Sequence, residues 1–200
     1  MKYNKVVIGI DQSYKNTGVS VCADGKLKKV TSIHLEKCAS NSERREIIRA
    51  RLARLLDNAT RKSREVVCVI ERIRLHSQGF LNMDYIKSIG ALNALIVDTC
   101  YEYGVAVYSV DTRCWKSTVV GTSKGCPNDF GVPEEKWPTV RWLVNKGFES
   151  SILEKVEGRR NKGTFMSGGR KWEYNNDAAD SAAISVFGFI GDKSKLKEEH

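Results

Sequence analysis

The sequence predicts an α/β domain built on a mixed sheet, and three features carry that expectation. Apolar, β-branched runs at 6–10 and 66–70 read as buried strands, and each ends in a carboxylate, Asp11 and Glu71. Elements then alternate as three strands, a helix, a strand, a helix, a strand and further helices, which makes a five-stranded sheet flanked by helices. Finally, 175–184 reads Asn-Asn-Asp-Ala-Ala-Asp-Ser-Ala-Ala-Ile. That is a helical stretch, and its spacing puts Asp177 and Asp180 on one face.

Taken in order, the run that closes at Asp11 is followed by a polar turn and by Gly18, which opens a second short apolar run, so the pair reads as a hairpin. Asp24-Gly25 is a strong turn signal, and 27–35 forms a third strand. Ser40 with Glu43 resembles a capping box that opens a long helix. Ile47, Ile48, Leu52, Leu55, Leu56 and Ala59 recur along it at helical spacing. Its other face carries Arg44, Arg45, Arg49, Arg51 and Arg54, and reads as solvated. The strand at 66–71 follows a helix and joins the same sheet by a crossover.

A polar loop at 72–81 leads into a helix at 82–103, with Ile86, Ile89, Asn93, Ile96, Val97 and Cys100 inward. Gly90 in its middle costs about 1 kcal/mol relative to Ala, which implies a close approach to a strand. Gly104 ends the helix and 105–110 is the fifth strand, closing at Asp111, which reads as structural. The stretch 122–133 is a loop, and 134–146 a helix. Residues 158–171 hold Arg159, Arg160, Lys162, Arg170 and Lys171, four glycines, Phe165 and Met166, and no acid. Such a segment is either a solvated loop or one that orders on nucleic acid. Basic residues interleaved with aromatics and glycine favour the second.

Two hundred residues suit one domain, with a basic insertion at about 147–176, and 41% hydrophobic content is that of a globular chain. The net charge of +9 points to a polyanionic partner. The run at 6–10 is too short for a signal peptide, and no stretch reaches the roughly 20 apolar residues of a membrane helix. A soluble cytoplasmic protein is expected. Six cysteines form no C-x-x-C pair and no zinc-like spacing with the three histidines, which argues against a disulfide framework and a zinc site. Cys22, Cys68 and Cys100 read as small core residues.

Three separated segments thus offer acids where an apolar element meets solvent, as a metal-dependent phosphodiesterase site requires. Hard cations want oxygen ligands, so carboxylates suffice. For Asp177 and Asp180 the plainer reading is capping and compensation of the helix dipole.

Four motifs, Ile8-Gly9-Ile10-Asp11 with Thr17-Gly18, Val69-Ile70-Glu71, Lys116-Ser117-Thr118-Val119-Val120-Gly121, and Asp177-Ala178-Ala179-Asp180-Ser181-Ala182, resemble in order and approximate spacing those of the RuvC Holliday-junction resolvases. The resemblance runs from Val6 to Ile184. It implies an RNase H-like fold, a homodimer, branched DNA as partner, and Mg²⁺ or Mn²⁺, two ions per site, held by Asp11, Glu71, Asp177 and Asp180. It further implies that Lys116 and Lys136 act near the scissile phosphate. Two ions would neutralise the phosphate, activate water and stabilise the leaving oxygen.

The chain departs from the family pattern in three places. Ile73-Arg74-Leu75 stands where bacterial members carry a wedging aromatic, with no aromatic before Phe80. The loop at 122–133 is longer, and 147–176 is extended and basic. These departures fit a bacteriophage or otherwise divergent member, acting in a host cytoplasm if phage-encoded. They make Arg74, Arg159, Arg160, Lys162, Arg170 and Lys171 the candidate DNA contacts. Two other readings are a branched-DNA-binding protein with a vestigial metal site, and a phosphotransferase of the actin and sugar-kinase type. The second needs two clasping domains and a second phosphate hairpin, which this length does not accommodate.

Overall fold

The computed structural model describes residues 1–35, 37–38, 40–73, 83–156 and 164–199. The chain opens with the expected meander, β1 (Tyr3–Asp11), β2 (Asn16–Ala23) and β3 (Lys26–His34). The β2–β3 turn is made by Asp24 at φ 47° and Gly25 at φ 77°. The paired positive φ values are those a tight two-residue hairpin needs. The long helix α1 (Asn41–Lys62) starts where the capping residues place it: Ser40 Oγ accepts from the Glu43 amide at 3.1 Å. Then come β4 (Ser63–Glu71), α2 (Met83–Glu102) and β5 (Ala106–Val110).

The second half begins with a short helix, α3 (Thr112–Trp115), which runs on into a π-helical turn over Lys116–Val120. After an irregular stretch come α4 (Trp137–Asn145), the single turn α5 (Glu149–Ile152), and three short strands, β6 (Leu153–Lys155), β7 (Phe165–Ser167) and β8 (Arg170–Tyr174). The chain then forms α6 (Asn176–Ile190) and β9 (Lys197–Glu199).

The main sheet is mixed and six-stranded, in the order β3-β2-β1-β4-β5-β9. β1 runs antiparallel to β2 and parallel to β4, and β4 runs parallel to β5. The crossovers through α1 and α2 allow this, since parallel neighbours need a long connection. Strand alternation divides the core in two. Val6, Ile8, Ile10, Cys68 and Ile70 pack with Ile48, Leu52 and Leu56 of α1 and with Leu92, Ile96 and Cys100 of α2. Val7, Cys22, Val67 and Val69 face the other way, onto Ala183, Ile184 and Phe187 of α6.

Several expectations need correction. A sixth strand, β9, pairs antiparallel with β5 and extends the expected five. β4 starts three residues earlier than the apolar run, at Ser63, and α4 starts at Trp137 rather than at 134. Gly90 does not approach a strand: it is exposed, and a Cβ there would meet nothing within 4 Å. The basic stretch at 158–171 is not loop throughout, because β7 and β8 form a hairpin that β6 completes as a three-stranded sheet. Cys22, Cys68 and Cys100 are buried and free, as expected.

Candidate active site

β1 and β4 carry the first two acids to one place. Ile10 pairs with Ile70, so the next residues along these parallel strands are Asp11 and Glu71. Asp11 shares strand parity with Val7, and Glu71 with Val67 and Val69, so both lie on the side of the sheet that α6 covers. Two glycines let α6 come down on that side. A Cβ on Gly9 would lie 2.3 Å from the carbonyl oxygen of Ser181, and one on Gly18 would lie 1.9 Å from that of Asp177. The helix answers with small residues, Ala178, Ala179, Ala182 and Ala183, all buried. Ser20 Oγ donates to the Ser181 carbonyl at 2.6 Å and fixes the register between helix and sheet.

The first turn of α6 is held from outside as well. Asn175 Oδ1 accepts from the Ala178 amide at 2.9 Å, while its Nδ2 donates to Ser32 Oγ at 2.9 Å and to Glu154 Oε1 at 2.5 Å. Asp177 rides on that turn and Asp180 on the next, so the Asn175 cap helps set where their carboxylates stand. Glu71 is held in turn by Thr112, whose Oγ1 donates to Oε1 at 2.5 Å, and Gln12 Nε2 donates to the Glu71 carbonyl at 2.6 Å. Sequence reasoning alone misses Thr112 and Asn175 as site residues. The signal for each is its place, directly after a strand-ending Asp or shortly before the acidic pair of the helix.

The electrostatics are those of crowded acids. Burial raises the Asp11 carboxyl well above its ordinary range, and Asp180, Glu71 and Asp177 push it further against the pull of Lys136. Glu71 is raised by burial and by Asp180, although the Thr112 hydrogen bond and the lysines oppose this. Asp177 is pushed up to about 6 by burial, with Asp180 and Glu154 outweighing part of the relief from Lys136. Lys136 sits among the four acids, and its Nζ is 2.5 Å from Asp180 Oδ2. Burial alone would lower its pKa, yet Asp180 and Asp11 raise it above the ordinary lysine value.

Lys116 is buried, and its charge acts on Glu71. Its Nζ donates to the Glu135 carbonyl at 3.0 Å and lies 5.4 Å from the centre of the Trp115 ring. Arg170 and Lys171 lie on β8, the first exposed and the second half-buried. Asp111 caps α3, accepting from the Arg113 amide at 3.0 Å. Arg74, Phe80, Arg159, Arg160 and Lys162 lie outside the described residues.

Among the described residues, no group of three or more His, Cys, Asp or Glu side chains is set to hold a metal ion. The donor chemistry nevertheless fits a hard divalent cation, because every acid of the cluster offers carboxylate oxygen. One of those oxygens, Asp180 Oδ1, is buried with no hydrogen-bond partner. A buried carboxylate oxygen left unpaired is costly unless a cation completes it.

No family model matches the sequence, and no curated protein matches it. Two solved structures match over 97% of this chain and 99% of their own. RuvC from Thermus thermophilus in complex with Holliday junction substrate aligns with a TM-score of 0.61 at 18% identity. The structure of Thermus thermophilus RuvC aligns with a TM-score of 0.60 at 19% identity. At that identity the likeness is one of fold: the chain has the RNase H-like α/β architecture seen in RuvC. No described helix is long and apolar enough to cross a membrane.

Proposed function

We propose that this chain is a structure-selective endonuclease that nicks Holliday junctions and other branched DNA in the cytoplasm, as a homodimer. The observation that carries the reading is the meeting of Asp11, Glu71, Asp177 and Asp180, from two strands and one helix, at one end of a sheet whose fold is that of RuvC. The 200 residues would form one nuclease domain, with a basic insertion at about 147–176 that includes β6–β8.

In this reading the four carboxylates hold two Mg²⁺ or Mn²⁺ ions. When bound, such ions supply charge neutralisation at the phosphate and acidify water at neutral pH. The chain's own groups do the rest. Asp11, between Glu71 and α6, is the central ligand. Thr112 keeps Glu71 in one orientation by its donated hydrogen bond, and Asn175 keeps Asp177 and Asp180 in theirs. Lys136 brings a cation to within reach of the same phosphate. Arg170 and Lys171, with Arg74, Arg159, Arg160 and Lys162, contact the DNA backbone away from the cut.

The position of Lys136 also favours a second reading, a non-catalytic junction binder in which the lysine neutralises the acids permanently. One experiment separates the two. A four-way junction, a flap and a plain duplex are each incubated with the protein, with and without Mg²⁺. Metal-dependent nicking of branched substrates over duplex is expected. Binding without nicking at any metal concentration would favour the second reading.

A further inference from the structure

Lys136 stands where a cation is wanted. Its ammonium is 2.5 Å from Asp180 Oδ2, Asp180 is 1% exposed, and Asp11, Glu71 and Asp177 all act on the same ammonium or are acted on by it. The lysine is not on a regular element. It ends the turn before α4, where the amides of Lys136 and Trp137 both donate to the Pro133 carbonyl, at 2.8 and 3.0 Å. That turn is pinned from a distant part of the chain: Lys116, 20 residues earlier, donates to the carbonyl of Glu135, the residue next to Lys136. Lys116 is itself fixed, being buried at the start of the π-helical turn and lying over Trp115.

We infer that Lys136 is a built-in counter-cation, which offsets part of the charge of the carboxylate cluster in the metal-free protein and must leave Asp180 before a divalent ion takes its place. Lys116 is the positioning residue that holds the turn and so keeps Lys136 on the acids. The physical reason is competition for the same charge. Four acids in one cleft repel one another, and a lysine relieves this without any ion. A buried acid stripped of its partner is strongly destabilising, so the protein folds with its own cation in place. A divalent ion gains the same acids only after the ammonium moves, which lowers its affinity. DNA then acts as a second partner: a phosphate entering the site gives the displaced ammonium somewhere to go. Metal and branched DNA should therefore bind more tightly together than apart, and this device would keep the site quiet until substrate arrives.

This inference rests on the carboxylates being a metal site, and the experiment tells the two apart. Mn²⁺ binding to the full chain, without DNA, is measured by calorimetry for wild type, Lys136→Met, Lys136→Arg, Lys116→Met and Asp11→Asn. Lys136→Met should bind Mn²⁺ about tenfold more tightly than wild type, equal to about 1.4 kcal/mol. Lys136→Arg keeps a cation on Asp180 and should bind no more tightly than wild type. Lys116→Met frees the turn and should bind more tightly, by less than Lys136→Met. Should Lys136→Met fail to fold, the contrast between Lys116→Met and Lys136→Arg decides. Equal or weaker Mn²⁺ affinity in Lys136→Met, or in Lys116→Met when the first variant is lost, overturns the counter-cation while leaving the metal site standing. Absence of Mn²⁺ binding in wild type, or binding that Asp11→Asn leaves unchanged, overturns the metal site and the inference with it.

Discussion

The carbonyl oxygen of Asp177 lies 1.9 Å from where a Cβ on Gly18 would be. Gly18 pairs with Asp11 across β1 and β2, so the same backbone contact sets the distance between the first acid of the site and the helix that carries two others. Gly18 is not at a positive φ, and its role is purely one of space. Gly18→Ala should force α6 away from the sheet, at a cost of about 1–3 kcal/mol, as is typical of overpacking. Cleavage should fall further than stability, because misplaced carboxylates cannot share an ion. Urea unfolding beside a nicking assay checks this, and full activity in Gly18→Ala would mean that α6 has room to move.

Asp11→Asn should abolish metal-dependent nicking while leaving the fold and junction binding in place, since it removes a carboxylate and no basic contact. In EDTA the variant should melt higher than wild type, because one of four repelling charges is gone. Metal should raise the wild-type Tm and barely move that of the variant. An ion that binds only the folded state stabilises it by about 2.7 kcal/mol at 100 times its Kd. A thermal-shift series in EDTA, Mg²⁺ and Mn²⁺ measures both effects, and an equal metal response in the two proteins would remove Asp11 from the site.

Much of the site is legible in the sequence because strand period and helix spacing are local. Val6 to Ile10 and Val66 to Ile70 announce buried strands, and the acid at the close of each run must emerge at an end of the sheet. Asp177 and Asp180 share a helix face by spacing alone. The contacts that make these acids one cluster are not local. Lys136 meets Asp180 across 44 residues, and Thr112 meets Glu71 across 41, so no window of sequence contains either pair. Glycine shows the same limit. Gly9 and Gly18 lie against the backbone of α6, whereas Gly90, for which the sequence implies a close approach, faces solvent. Propensity counts what a glycine costs and is silent on what it faces. The strands β6, β7 and β9 are three residues each, too short to show a period, and β9 is wholly charged. Their strand character comes from pairing with a neighbour, as the edge position of β9 on β5 illustrates.

The β7–β8 hairpin gives the next prediction. Phe165 and Tyr174 stack at 5.3 Å within the hairpin, and the Tyr174 ring lies 6.1 Å from that of Trp137, so aromatic packing ties the hairpin to the start of α4. Arg170 is thereby presented on an anchored strand. Arg170→Ala and Lys171→Ala should each weaken junction binding. Each should also flatten the dependence of log K on log salt by about 0.9 if its side chain neutralises one phosphate of a duplex arm. Titrations at several salt concentrations read the slope directly. A slope unchanged in both variants would take β8 out of the DNA interface.

Stability in the absence of metal should depend on pH in a direction fixed by the raised carboxyls. Asp11, Glu71 and Asp177 hold their protons to higher pH in the folded chain than in the unfolded one, where carboxyls ionise near pH ~4. Between the two values the folded state binds more protons, so stability falls as pH rises. The contribution is complete below the unfolded value and is lost as pH rises through about 6, the folded value of Asp177. Lys136 does not offset this slope, because its pKa is raised and it stays charged throughout the window. The protein's overall positive charge grows in acid and works the opposite way, so the measurement has to be a difference. In EDTA, the Tm of wild type minus that of Asp177→Asn should drop between about pH 4.5 and about pH 7.5, since the amide cannot release a proton. Adding Mg²⁺ should shrink the drop, because a bound cation favours the ionised acids. A difference that stays flat with pH in EDTA would mean that Asp177 ionises as freely in the fold as outside it, and that the four acids do not crowd one another.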